Sequence, residues 1–287
     1  MTAPASRFGA FLGYVRNRFH PLWKIRRTPW LHAVLSRVDF PVRAPTPGLP
    51  AGMSVYCYRD FAWLASHAAK EPEVQKALTS FAFLATGAAF WDVGANLGYY
   101  SWLVHAQASP RQVLLIEPLP ENLRLLRRTV RRNRLPGVAI APCAVADAAG
   151  QARLRVDRQS GATSQLDHLF RESAETAISR AYGLKATITV DARTLDSLLV
   201  DWPMPPALIK IDVEDAEALV LRGAVQILSS VRPVIVLECF KGEALEILRQ
   251  HGYRLRRIDA ASNFLAYPGE REPDFRAVLA QVGGTEI

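Results

Sequence analysis

Residues Ala88-Ala-Phe-Trp-Asp-Val-Gly-Ala-Asn-Leu-Gly-Tyr-Tyr-Ser101 carry the pattern of a strand, a glycine turn and a helix. Ala89 to Val93 is a short apolar run with one acid, Asp92, which is typical of a buried parallel strand. Gly94 and Gly98 allow a tight turn before the helical pattern begins. Backbone N–H groups and a helix N-terminus therefore meet at the carboxyl end of the strand, where open α/β sheets bind ligands. We predict that a nucleoside-containing cofactor binds there.

The composition is that of a globular chain in a reducing compartment. Its 287 residues are 49% hydrophobic, enough to bury one large core with an appendage. The three cysteines, Cys57, Cys143 and Cys239, are far apart and lack metal-ligand spacing. No apolar run reaches transmembrane length, and the first residues lack a signal-peptide pattern. These features predict a cytoplasmic protein.

The net charge of +8 is concentrated in the first 43 residues, which hold eight Lys/Arg and a single acid, Asp39. The rest of the chain is nearly neutral, which argues against a core that binds nucleic acid. Apolar residues at helical spacing between Phe8 and Phe19 predict a basic amphipathic arm. Two interpretations of residues 1–43 stay open. The arm contacts the anionic inner face of the membrane peripherally, or it packs on the domain or on a second subunit.

The order of the patterns predicts an α/β fold. From Phe90 onward, strands and helices alternate, which indicates a mostly parallel sheet covered on both faces. Tyr253 to Ile258 and Asn263 to Tyr267 have no helix between them and should pair antiparallel at the sheet edge. We divide the chain into a basic helical arm with a Pro-rich linker (1–50; the linker pattern runs from Pro41 to Gly52), a lid or capping segment (51–88), the main domain (89–270) and a C-terminal tail (271–287).

The glycine spacing after the first strand restricts the cofactor. A dinucleotide site needs G-x-G-x-x-G, whereas this chain has Gly94-x-x-x-Gly98 and lacks the middle glycine that approaches a pyrophosphate. The pattern suits a ligand without a pyrophosphate, such as S-adenosylmethionine, with its amino-acid end near Asp92 and Asn96. Glu117 ends the next strand, where an acid can accept hydrogen bonds from both ribose hydroxyls.

A second informative stretch is Leu208 to Glu217, in which Lys210, Asp212 and Glu214 alternate with other residues and should project to one side. Charges entering a central strand are costly unless they act at its exposed end. One explanation is an ion pair between Lys210 and a neighbouring carboxylate. The functional explanation is that Asp212 positions or deprotonates an acceptor hydroxyl, or holds a divalent cation with Glu214.

Taken together, these motifs resemble the FkbM-type S-adenosylmethionine-dependent methyltransferases. The resemblance covers about residues 54–267 and implies the seven-stranded class I methyltransferase fold, which is Rossmann-like. It also implies, in most members, O-methylation of a hydroxyl on a sugar, a glycan or a polyketide-like small molecule. The motifs that carry it are Trp91–Ser101, Ile116–Asn122 and Ile209–Glu214, with support from Val190–Asp196 and Arg232–Glu238.

The resemblance makes residues 89–270 an S-adenosylmethionine-binding methyltransferase domain. We assign no metal ligand, and the alternative in which Asp212 and Glu214 hold a divalent cation stays open without support from the motifs. The implied cofactor-binding residues are Asp92, Gly94, Ala95, Asn96, Gly98, Glu117 and Ala144. The implied catalytic residues are Asp212, Lys210 and Glu214. The chain departs from the family pattern at Asp215, where glycine is usual and would permit a positive φ. We expect Asp215 to cap the helix that begins near Ala216 instead.

Three other classes of function remain as alternatives. A nicotinamide-dependent oxidoreductase would share the fold but lacks the glycine fingerprint. A nucleic-acid methyltransferase would suit the basic pI, but the charge is confined to the arm and no Asn/Asp-Pro-Pro-aromatic motif follows the fourth core strand. A non-catalytic, cofactor-binding scaffold would result if Asp215 blocks the acceptor site.

Overall fold

The structure, a computed structural model, describes residues 29–61, 64, 71–157, 164–166, 185–260 and 262–287. The predicted amphipathic stripe between Phe8 and Phe19 lies outside these residues. The strands are β1 (Pro41–Thr46), β2 (Leu49–Tyr56), β3 (Ala89–Val93), β4 (Gln112–Ile116), β5 (Val138–Ala141), β6 (Ala144–Val145), β7 (Gly150–Asp157), β8 (Ser164–Leu166), β9 (Lys185–Arg193), β10 (Pro206–Ile211), β11 (Val234–Glu238), β12 (Tyr253–Arg257), β13 (Asn263–Pro268) and β14 (Thr285–Glu286).

The helices alternate with the strands of the main sheet. They are α1 (Pro29–Arg37), α2 (Pro72–Phe81), α3 (Tyr99–Ala108), α4 (Pro120–Asn133), α5 (Leu195–Asp201), α6 (Glu217–Arg222), α7 (Gly242–Gln250) and α8 (Glu272–Val282). Within the described ranges, no helix is long and apolar enough to cross a bilayer.

The main sheet has the strand order β14-β12-β13-β11-β10-β3-β4-β5. Strands β3, β4, β5, β10 and β11 are parallel, whereas β13 pairs antiparallel with both β11 and β12. Seven of these strands form the predicted class I methyltransferase sheet, and the two-residue β14 adds an eighth at the edge. The predicted α/β class and the antiparallel edge pair are confirmed. A smaller sheet, β6-β9-β7-β8, follows β5 in the chain.

Alternation along the central strands separates the two helical layers. Phe90 and Leu208 belong to one buried cluster, together with residues of α2, α3 and α8. Trp91 and Ile209, one position further along, belong to the cluster on the opposite face, with residues of α5, α6 and α7. Because side chains alternate with period two, the residues at positions 92 and 210 face the first layer.

The predicted linker is wrong for Pro41 to Gly52, because this segment forms β1 and the first half of β2. Prolines are tolerated at the start of a strand and at bulges, and Pro41 opens β1 while Pro45 lies at a shift of register. The hairpin docks on α4 through its backbone. The Asn133 side chain accepts from the Ala51 N–H at 2.8 Å and donates to the Gly52 carbonyl at 3.0 Å.

The two segments that flank the main domain also contain regular structure. In the predicted lid or capping segment (51–88), α2 follows Glu71, with Pro72 at its first position. Residues 271–287 contain α8, whose Phe275 ring lies 5.2 Å from the Phe81 ring in an edge-on contact. The end of the chain therefore contributes to the core.

Candidate active site

A cavity of about 390 Å³ opens at the carboxyl edge of β3, β4 and β10. Its wall comes from the turn after β3, the first turn of α3, the end of β4, the segment after β5 and the end of β10. Glu117 lines one end, whereas Lys210 and Asp212 line the other. Parallel strands place all these segments at one edge of the sheet, which is where such folds bind ligands.

The turn after β3 needs its first glycine for two separate reasons. Gly94 has a φ of 79°, in the left-handed region that favours glycine. A Cβ built there would lie 1.9 Å from the carbonyl oxygen of Asp212. The backbone of β10 comes this close because the Asp212 N–H donates to the Val93 carbonyl at 3.0 Å. Gly98, at φ 77°, then precedes the first residue of α3.

Glu117 is held at the end of β4 by backbone donors. Its Oε2 accepts from the Asn96 N–H and its Oε1 from the Leu119 N–H, both at 2.8 Å. The residue is only 5% exposed. Burial raises the pKa of Glu117 to about 7, although these hydrogen bonds lower it. A carboxylate fixed in this way keeps lone pairs for ligand hydroxyls.

Asp92 lies behind the cavity wall. It is 1% exposed and does not line the cavity. Its Oδ2 accepts from the Ser101 hydroxyl at 2.6 Å. Its Oδ1 has no hydrogen-bond donor among the described residues and lies 4.0 Å from Lys210 Nζ. Lys210 is the direct cross-strand neighbour of Asp92 on the same face. The Asp92 carboxylate therefore faces the ammonium of Lys210, and its contact with the cofactor stays a prediction.

Lys210 carries the expected ion pair. Its Nζ donates to Asp212 Oδ2 at 2.8 Å and lies 4.8 Å from the centre of the Tyr100 ring. Burial lowers the pKa of Lys210, but the carboxylates of Asp212 and Asp92 raise it by more, so the net direction is upward. Lys210 is therefore a charged hydrogen-bond donor and no base. The Tyr100 hydroxyl in turn donates to Glu71.

Glu214 follows β10 in a strained segment of backbone. It has a φ of 52°, and Asp215 follows with a φ of 75°. Burial raises the pKa of Glu214 to about 8, with help from Asp212 and other nearby acids. The predicted capping by Asp215 is wrong, because Ala216 is the N-cap of α6 and its side chain makes no cap hydrogen bond. The Asp215 carboxylate instead lies 3.4 Å from Lys241 Nζ.

The cavity gathers most of the residues singled out in the sequence. Asp92 and Gly98 do not line it. Those that do are Gly94, Ala95, Asn96, Glu117, Ala144, Lys210, Asp212 and Glu214. Glu71, Tyr100 and Asn122 also line it, and none of them is among the predicted site residues. Tyr100 and Asn122 each had a signal, because they belong to the motifs Trp91–Ser101 and Ile116–Asn122. Glu71 reaches the site from the predicted lid or capping segment.

No group of three or more His, Cys, Asp or Glu side chains is placed to hold a metal ion in the part of the chain that the structure describes.

The sheet order and this site define a class I methyltransferase fold. The model of the methyltransferase FkbM domain matches residues 92–255, which is more than half of the chain. The chain therefore belongs to the FkbM methyltransferase family.

Two named proteins and one solved structure are similar to this chain over part of their length. The 31-O-demethyl-FK506 methyltransferase FkbM of Streptomyces tacrolimicus is 28% identical over 197 residues, 59% of this chain and 74% of that protein. The hexuronic acid methyltransferase AglP of Haloferax volcanii is 29% identical over 148 residues, 51% of this chain and 54% of that protein. A crystal structure of the methyltransferase FkbM from Methylobacillus flagellatus KT superposes with a TM-score of 0.44 at 18% identity, covering 63% of this chain and 44% of that chain.

Proposed function

We propose that the protein transfers a methyl group from S-adenosylmethionine to a hydroxyl oxygen of a sugar, a glycan or a polyketide-like small molecule. The observation that carries the proposal is the cavity between Glu117 and the Lys210–Asp212 pair, with the glycine turn between them. Family membership supports methyl transfer over the nicotinamide-dependent alternative. The names of the two relatives, a methyltransferase of an FK506 precursor and a hexuronic acid methyltransferase, support this acceptor class.

The residues present fit the cofactor. The fixed Glu117 carboxylate can accept hydrogen bonds from both ribose hydroxyls, as strand-end acids do in this architecture. Ala144, Val145 and Leu154 give the adjoining wall an apolar lining suited to an adenine ring. The turn at Gly94 brings backbone to the cavity at the side of the amino-acid end. When bound, S-adenosylmethionine supplies an activated methyl group on its sulfonium.

The far end of the cavity handles the acceptor. Asp212 accepts a hydrogen bond from Lys210, which fixes the orientation of its carboxylate. Asp212 then positions the acceptor hydroxyl in line with the methyl group, and it or Glu214 takes the hydroxyl proton. A pKa of about 8 suits Glu214 to the second role at neutral pH.

Replacement of Glu117 by glutamine tests the cofactor assignment. We expect the Kd for S-adenosylhomocysteine to rise about 10- to 100-fold, because the amide keeps one acceptor oxygen and loses the negative charge. Isothermal titration calorimetry on the whole chain measures the change. The matched control is Glu121→Gln, an exposed acid in the first turn of α4 that does not line the cavity. Equal affinities in the two variants would remove Glu117 from the ligand-binding set, and a wild-type chain that binds no S-adenosylhomocysteine would overturn the proposed function.

The affinity for S-adenosylhomocysteine should also depend on pH through Glu117. Burial raises the pKa of this carboxyl to about 7, so it gains a proton as the pH falls below that value. The protonated form offers fewer lone pairs to the ribose hydroxyls, and binding should weaken by up to about tenfold per pH unit. Above about pH 8 the affinity should be constant. Titrations across this range should show the dependence in the wild type and none in Glu117→Gln.

Methyl transfer itself is tested with labelled S-adenosylmethionine against neutral sugars, uronic acids and polyketide-type alcohols. Transfer to an oxygen of any of these supports the proposal. Tight cofactor binding without transfer to any of them would favour the scaffold alternative.

A further inference from the structure

Arg59 is a partly buried arginine in the turn after β2, outside the residues matched by the family model. Its side chain is 11% exposed and does not line the cavity. The guanidinium donates to both carboxylate oxygens of Asp60, at 2.8 and 3.0 Å. Asp39 fixes the backbone of the same turn, because its carboxylate accepts from the N–H groups of Tyr58 and Arg59, both at 2.8 Å. The position of the arginine is therefore fixed by contacts within its own segment of the chain, independently of its contacts with the main domain.

One further donor of this guanidinium reaches toward the cavity. The Arg59 Nη2 group donates to the Asn122 Oδ1 atom at 2.8 Å. Asn122 is 1% exposed, and its Nδ2 donates to Asn96 Oδ1 at 3.1 Å. A guanidinium has only donors, so the Asn122 atom that faces it must be the oxygen. Arg59 thereby decides which way the Asn122 amide points.

The amide orientation matters because Asn96 has an unfavourable backbone conformation. Asn96 has a φ of 50°, and in that conformation its N–H donates to Glu117 Oε2 at 2.8 Å. A residue other than glycine that has a positive φ needs contacts that stabilise this backbone conformation. The Asn122 Nδ2–H supplies that support, and it would turn away from Asn96 if the amide flipped.

We propose that Arg59 is a positioning residue of the cofactor site, which acts through Asn122 and Asn96 to hold the carboxylate of Glu117. The assignment of the ligand rests on the proposed function, whereas the hydrogen-bonded chain from Arg59 to Glu117 does not. The N-terminal hairpin, through the turn that follows it, thus becomes part of the binding machinery.

Arg59 also acts on Glu117 by its charge. The positive charge of Arg59 lowers the pKa of Glu117, against the larger upward effect of burial. The charged groups around this arginine are Asp60, its direct partner, and Asp39, which holds its backbone. Loss of the arginine charge should therefore raise the pKa of Glu117 and move the acidic limb of ligand binding to higher pH.

The experiment compares Arg59→Lys, Arg59→Met and Asn122→Ala in the whole chain by calorimetry with S-adenosylhomocysteine. Lysine keeps the charge but lacks the planar fork that bonds Asp60 and Asn122 together, so we expect a Kd about tenfold higher and an acidic limb shifted upward as far as in Asn122→Ala. Methionine should weaken binding further and shift that limb further upward. The matched control is Arg232→Lys, which disturbs an arginine bonded to Glu270 and to two backbone carbonyls remote from the cavity.

Two measurements keep the proposal falsifiable if Arg59→Met fails to fold. In the first, Asn122→Ala should bind S-adenosylhomocysteine as weakly as the double variant with Arg59→Lys, because the two residues act in series. Independent effects that add, or a wild-type Kd in Arg59→Lys, would overturn the proposal. In the second, the pKa of the Glu117 carboxyl is read by NMR without ligand, with Glu117→Gln for assignment. Asn122→Ala and Arg59→Lys should both raise this pKa, because the Asn122 side chain lowers it. An unchanged value in Arg59→Lys would overturn the proposal even if the cofactor assignment had failed separately.

Discussion

Replacement of Gly94 by alanine is expected to abolish measurable binding of S-adenosylhomocysteine and to lower the free energy of unfolding by at least about 3 kcal/mol. The added Cβ would lie 1.9 Å from the Asp212 carbonyl oxygen, so β3 and β10 must separate at their carboxyl ends. That separation displaces the turn and the Lys210–Asp212 pair at the same time. Urea unfolding and calorimetry measure the two effects.

Gly87 offers a matched control for the Gly94 substitution. Its φ of 81° is almost the same, but a Cβ built there has nothing within 4 Å. Gly87→Ala should therefore show only the intrinsic penalty of the left-handed conformation, about 1–2 kcal/mol, with normal ligand affinity. If the two variants lose stability and affinity equally, close approach of the β10 backbone is not what fixes this turn.

Replacement of Asp212 by asparagine is expected to reduce turnover about 10²- to 10⁴-fold while the Kd for S-adenosylhomocysteine changes by less than about threefold. The amide preserves the shape of the side chain and can still accept a hydrogen bond from Lys210, but it cannot take a proton. Single-turnover methyl transfer and calorimetry separate the two quantities. Thermal unfolding shows whether Lys210, left with Asp92 at 4.0 Å as its remaining carboxylate, weakens the fold.

A nearby acid serves as the control for Asp212. Asp215 is three positions along the chain, pairs with Lys241 and does not line the cavity. Asp215→Asn removes the same charge at a similar distance from the sheet and should change turnover much less. Full turnover in Asp212→Asn would contradict a catalytic role for this residue and would leave Glu214 as the proton acceptor.

Much of the site can be predicted from the alternation of side chains along the strands and from the acids at the strand ends. The sequence placed Glu117 and Asp212 at the ends of core strands, and the parallel sheet brings such ends to one edge. The same alternation explains Asp92, because it shares a face with Phe90 and so turns toward the α2–α3 layer. The alternation thus predicts the face on which Asp92 lies, and the contact of this acid with the cofactor stays a prediction.

The N-terminal hairpin was not predictable from local pattern. Its prolines and glycines are typical of a linker, and what makes it a hairpin on the domain is contact with α4, more than 70 residues away. The Ser54 N–H donates to the Thr129 hydroxyl at 2.8 Å in a buried position. Helix and strand propensities describe local sequence, so they cannot predict such a contact. The same applies to Arg59 and Asn122, which are 63 positions apart.

The close contact between the backbones at Gly94 and Asp212, which we call the seam, restricts which mutations can give this protein a new acceptor. One backbone hydrogen bond and one missing Cβ join the turn proposed to bind the cofactor to the strand that precedes Asp212, the acid proposed to position the acceptor. A mutation that re-aims β10 toward a new acceptor would therefore disturb cofactor binding as well. Changes of acceptor should instead be sought beyond this seam and apart from Glu214, in residues 215–216 and 239–241, where the loops after β10 and β11 are joined by the side-chain pair of Asp215 and Lys241. A library confined to those loops is the economical route to a methyltransferase with a new acceptor.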